Sequence, residues 1–169
     1  MDGVHLLYQA ELGYIWSMES VYVKSAYGRK RFNVLGAYNT ISSETEVVSN
    51  DTYLNAQSVV EMMKKLREKH GDREIYIILD NAKYQKCSEV EKARVNSNID
   101  LEYLPSYSPN LNLIERLWKW LRKKCLCNQY KETFKDFCDD ILSALSKTGS
   151  IFIDEIASWL APNFIVLGE

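Results

Sequence analysis

The chain has 169 residues, 46% hydrophobic and 26% charged, with three prolines and seven glycines. That is one domain's worth of chain with one core, and it leaves no disordered or low-complexity tract. A formal net charge of −2 argues against a stand-alone nucleic-acid binder, and no apolar run approaches the ~20 residues of a membrane span.

The opening Met-Asp-Gly-Val-His has neither a basic start nor an apolar signal core, so a cytoplasmic protein is expected. Residues 2–9 alternate Val4, Leu6 and Tyr8 against His5, Leu7 and Gln9 and read as a strand. Gly13 opens a turn, 14–25 reads as another strand or two, and 27–31 (YGRKR) is a basic turn. Residues 32–39 and 44–50 are rich in β-branched and aromatic side chains and complete an antiparallel meander.

The period then changes. Val59, Val60, Met62, Met63 and Leu66 form the apolar stripe of a helix from Asn55, its N-cap, to His70, where a charged imidazole would suit the helix dipole. Residues 74–80 (EIYIILD) form a nearly unbroken apolar run, expected of a strand buried on both faces. A short helix near 88–95 leads to a strand at 99–105. Ser108-Pro109 fits the N-cap and N1 of a helix to about Cys127, with Leu111, Ile114, Leu117, Trp118, Leu121 and Cys125 as its stripe. Helices near 131–146 and 151–160 finish the chain. This order predicts a mixed sheet with helices on its faces. Ligands collect at the carboxyl ends of parallel strands in such sheets.

Asp80 stands at one such end. Alone, it reads first as a turn-opening residue, since Asp80-Asn81-Ala82 is turn chemistry. Glu115 sits at the edge of a helix's apolar stripe, where it needs a cation such as Arg116 or Lys119, or a cleft. Asp2, on the first strand, faces Asp80 if that strand runs parallel beside 74–80. Three neighbouring carboxylates repel unless a hard cation neutralises them.

The segments LDNAKYQ (79–85) and LPSYSPNLNLIERLWKWLRKK (104–124), with 34 residues between Asp80 and Glu115, resemble the catalytic domain of DDE transposases of the mariner superfamily, most closely the bacterial insertion-sequence branch. The opening DGVH and the stretch GRKRFNVLGAYN (28–39) resemble the same family. The resemblance implies an α/β, RNase H-like fold with a five-stranded mixed sheet in the order 3-2-1-4-5. It implies that Asp2, Asp80 and Glu115 hold two Mg²⁺ ions (Mn²⁺ substituting), with Asn81 and Asn112 orienting ligands or water. The activity implied is cleavage of DNA phosphodiesters at transposon ends, then strand transfer by 3′-OH attack, with a homodimer on DNA and association with the nucleoid. Family members carry N-terminal helix-turn-helix modules. Residues 1–169 are expected to be the single catalytic domain, either excised or a truncated product. A non-cutting remnant and another RNase H-like nuclease are the competing readings.

Arg29, Lys30 and Arg31, and Arg122, Lys123 and Lys124, are candidates for contacts with DNA phosphates. His5 falls on the opposite strand face from Asp2, which argues against a ligand role. Trp118 and Trp120 read as packing surface. Cys87, Cys125, Cys127 and Cys138 fit neither zinc nor disulfide spacing and read as reduced thiols.

Overall fold

The computed structural model describes residues 1–14, 16–25, 30–105 and 111–161. Alternation along β2 (Arg31–Tyr38) sets the layers: Phe32 and Val34 enter one apolar cluster and Leu35 enters another, because successive strand side chains leave opposite faces. β1 (Asp2–Leu7) and β3 (Thr45–Asn50) flank β2 antiparallel, with Asp2 opposite Gly36 and Tyr38 opposite Thr45.

α1 (Ala56–His70) closes one face, burying Val59, Met62, Met63 and Leu66 with Leu35 and Val48. Asn55 caps it as expected: its side chain accepts the Ser58 N–H at 3.1 Å, while the Ser58 hydroxyl accepts the Asn55 N–H at 3.4 Å. This reciprocal box satisfies two donors that the first turn leaves orphaned. Gly71 ends the helix at a φ of 58°, a conformation that side chains resist. β4 (Ile75–Leu79) then runs parallel to β5 (Ile99–Tyr103), joined by α2 (Ser88–Ser97). The opposite face is covered by α3 (Ile114–Cys125), α4 (Phe134–Ser146) and α5 (Ile153–Trp159).

The fold is thus α/β with helices on both faces, the class expected from the sequence. The sheet appears as two parts, β3-β2-β1 and β4-β5, rather than one ladder of five. They meet where the Met1 amino group donates to Ile78 O at 2.6 Å.

Three further expectations change. The described part of 14–25 forms no strand, and Tyr14, Trp16 and Met18 are fully exposed; strand propensity needs a neighbouring edge to act on. Tyr76 and Ile78 are 60% and 50% exposed, so β4 buries one face through Ile77 and Leu79 and not both. The expected cap at Ser108-Pro109 lies outside the described residues; α3 begins at Ile114, and Leu111, 40% exposed, falls outside its stripe.

On the α1 face, Lys69 bridges Glu44 at 2.9 Å and Glu46 at 2.6 Å, and Lys65 reaches Glu46 at 3.2 Å. Burial pushes the Glu46 carboxyl up, but hydrogen bonds from Lys69 and Lys65 outweigh it and hold it below the usual range. A lowered carboxylate stabilises the fold fully above its ordinary value of 4.5 and loses that contribution as pH falls through the folded value. Glu46→Gln should therefore lower Tm near neutrality by an amount worth less than about 1 kcal/mol. Melting curves of mutant and wild type should converge in acid; a gap that persists there means that packing, not charge, was lost.

Candidate functional site

Three strand and helix ends bring the candidate acids together. Asp2 starts β1, Asp80 follows directly on Leu79 at the carboxyl end of β4, and Glu115 lies in the first turn of α3. A carboxylate in a first helical turn also suits the dipole. The Glu115 N–H donates to Asn112 O at 3.2 Å, starting the helix without a side-chain cap.

The acids lie in one another's field. Burial pushes the Asp2 carboxyl up; the Gly3 N–H pulls it back, Asp80 adds to the rise, and the Trp118 indole opposes it. Burial likewise raises Glu115, helped by the charges of Asp2 and Asp80 and countered by Lys119. Asp80 Oδ1 is buried with no hydrogen-bond partner, a costly position for an anion. The side chains share a neighbourhood without closing into a ligand set. Among the described residues, no three His, Cys, Asp or Glu side chains are close enough to hold a metal ion. The donor chemistry suits a hard divalent cation, since all three groups offer carboxylate oxygen and one oxygen is buried and unclaimed.

Neighbouring groups hold the acids in place. The Asn81 amide donates to Leu104 O, tying the residue after Asp80 to the strand beside it. Asn112 is buried, with its Nδ2 unpartnered. Tyr84, absent from the sequence reading, stands close by. Burial raises its phenol, and the charges of Asp80 and Asp2 add to that. Its only sequence signal was its place four residues after Asp80. Trp118, read as packing surface, donates from Nε1 to Asp2 Oδ2 at 3.0 Å. A groove of about 640 Å³ opens alongside, lined by Met1, Ile78, Asn112 and Ile114 among others, but none of the three acids lines it.

Arg116, offered as a partner for Glu115, turns instead to Ala161 O. His5 faces away from the acids as expected. Asn33 donates its amide to Asn50, so its Oδ1 accepts from His5 Nδ1, 2.6 Å away. Lys30 lies 5.5 Å above the Phe134 ring, and Arg31 donates to Thr52 O at 3.0 Å. Arg122 pairs with Glu11 and donates to His5 O, Lys123 stands 5.4 Å over Trp159, and Lys124 bridges Glu155 at 3.0 Å. These cations have intramolecular partners, and Arg29 lies outside the described residues. All four cysteines are free. Burial pushes the Cys125 thiol up to about 12 and Cys138 to about 11, so neither supplies a thiolate. Among the described residues, no helix is long and apolar enough to cross a membrane.

A family model described as DDE superfamily endonuclease matches residues 1–138. The chain belongs to the DDE superfamily of endonucleases. A curated relative of this DDE chain, the uncharacterized protein y4pE/y4sA of Sinorhizobium fredii (strain NBRC 101917 / NGR234), is 34% identical over 79 residues, 47% of this chain and 53% of the relative. The solved Mos1 mariner paired end complex with Mn superposes at a TM-score of 0.62 with 13% identity, covering 95% of this chain and 52% of that one. The Mos1 transposase paired-end complex with left transposon end gives 0.60 and 14%, covering 98% and 55%. At these identities the solved structures speak for the fold. The DDE chain spans about half the length of these relatives.

Proposed function

We propose that this chain is the catalytic domain of a mariner-superfamily transposase, of the bacterial insertion-sequence branch, cleaving DNA at transposon ends and joining the freed ends to target DNA. The observation that carries the reading is the shared field of Asp2, Asp80 and Glu115, brought from β1, β4 and α3 to one end of the sheet in a DDE-family chain.

In this reading Asp2, Asp80 and Glu115 would hold divalent cations, Mg²⁺ or Mn²⁺ and two in number, and such cations would supply Lewis-acid charge for phosphoryl transfer. The chain's part is positional. Asp2 and Asp80 fix one wall from the strands, and Glu115 reaches in from the helix with one more methylene. Asn81 holds the turn after β4 against Leu104. Water attacks phosphorus, the P–O3′ bond breaks, and the 3′ oxygen leaves to take a proton. In the joining step that 3′-OH attacks a phosphodiester of the target strand and displaces its 3′ oxygen. No side-chain nucleophile is needed, consistent with the inert Cys125 and Cys138 thiols. DNA is the partner, bound by a homodimer. The basic residues already engaged within the fold contribute less to that binding than modules elsewhere in a longer protein.

One observation favours a second reading, a non-cutting remnant that keeps the fold: the described acids do not converge to ligand distance. Calorimetric titration with Mn²⁺, paired with a nicking assay on transposon-end DNA, separates the two. Binding together with metal-dependent nicking supports the transposase. Absence of both leaves only the remnant.

A further inference from the structure

Asp2 and Gly36 are direct cross-strand partners in the β1–β2 ladder. A Cβ added at Gly36 would stand 2.5 Å from Trp118 Cη2 and 2.9 Å from Cζ2, with Ile114 Cδ1 at 3.3 Å. The absent side chain at Gly36 is therefore what lets the Trp118 ring lie down on β2. From there its Nε1–H reaches Asp2 Oδ2 at 3.0 Å. The indole is 5% exposed, so water competes little for that bond. Trp118 follows Glu115 by three residues on α3, close to one helical turn, so the two side chains share a helix face.

We propose that Trp118 is a positioning residue that sets the direction of the Asp2 carboxylate and locks it to the helix carrying Glu115. A lone aspartate at a strand's first residue has free χ angles. A bond from a buried indole, itself lying against β2 at Gly36, removes that freedom before any cation arrives. Gly36 belongs to the same device, since any side chain there lifts the ring. The two acids furthest apart in the chain are thereby held in one rigid frame: strand, indole and helix turn. The proposal rests on the reading of Asp2 as a cation-holding group.

The test measures Mn²⁺ affinity by calorimetry on the full chain, independent of DNA cleavage. Trp118→Phe keeps a ring and removes the N–H. Replacing Trp118 with benzothienylalanine keeps the bicyclic shape, and it carries the test if the phenylalanine variant fails to fold. Both should bind Mn²⁺ about tenfold more weakly, as loss of a group orienting a ligand commonly does. Gly36→Ala should weaken binding in the same direction. Trp120→Phe, a comparable change to a buried indole on the same helix, should leave the affinity unchanged. Wild-type affinity in the benzothienylalanine variant, or an equal loss in Trp120→Phe, overturns the positioning role while leaving the transposase reading intact. If the unaltered chain does not bind Mn²⁺, the parent reading fails and takes this one with it.

Discussion

On the proposed transposase reading, Asp80→Asn will reduce metal-dependent DNA cleavage on the order of a thousandfold and will leave the fold as stable as before, or more so. The size follows from what one cation-holding carboxylate supplies: several kcal/mol of stabilisation for charge developing at phosphorus, with ~1.4 kcal/mol for each factor of ten. The stability half follows from the site's electrostatics. Burial raises the Asp2 and Glu115 carboxyls, and Asp80 adds to both. A carboxylate raised on folding favours the fold below its unfolded value, 3.8 for Asp2, and that favour is lost as pH rises through the folded value. At neutral pH the Asp2 and Glu115 carboxylates therefore weaken the fold, and removing the Asp80 charge relieves both. Asp80 Oδ1, buried without a partner, adds its own desolvation cost. Asparagine keeps the shape and removes the charge. Melting temperature and nicking rate, measured on one preparation from pH 5 to 8, check both halves. A fall in both together would make Asp80 a structural residue, and nicking at the wild-type rate would remove it from the site.

Much of this arrangement was legible in the sequence because it depends on local chemistry. Asn55 ahead of the Val59–Leu66 apolar stripe announces a helix start. An apolar run ending on Asp80 places that acid at a strand tip, and Glu115 at the edge of a stripe places it where a helix meets the sheet. What was not legible depends on neighbours distant in sequence. Nothing in 14–25 says that no strand edge waits for it. Tyr76 and Ile78 are as apolar as Ile77 and Leu79, and only the assembled layers decide which pair is covered. Trp118 carries the composition of a core residue and packs as one, yet its single polar atom reaches Asp2 across 116 positions. Gly36 reads as an ordinary strand glycine until the indole lying against it is seen. The surroundings of the basic clusters were not legible for a related reason. A run such as Arg122-Lys123-Lys124 shows charge, but Glu11, Trp159 and Glu155 come from elsewhere to engage it.

Trp120→Ala should be the most damaging single truncation for stability, by about 3–5 kcal/mol. Trp120 is 1% exposed and its ring lies 5.4 Å from that of Phe152, just before α5, so it joins α3 to the end of the helical layer. Removing the indole leaves a cavity in a cluster whose members come from several elements: Leu117 and Leu121 from α3, Ile141 and Leu145 from α4, Ile156 from α5. Such a site collapses poorly, which puts the cost at the upper end of the range. At ~2–4 °C per kcal/mol for a chain of this size, Tm should fall on the order of 10 °C. The denaturant slope should stay constant, since the surface exposed on unfolding barely changes. A loss below about 1 kcal/mol would mean that α5 is loosely held and that the layer over β1 and β2 ends at α4. A full loss would mean that α3 is held against the rest of the helical layer as far as Phe152.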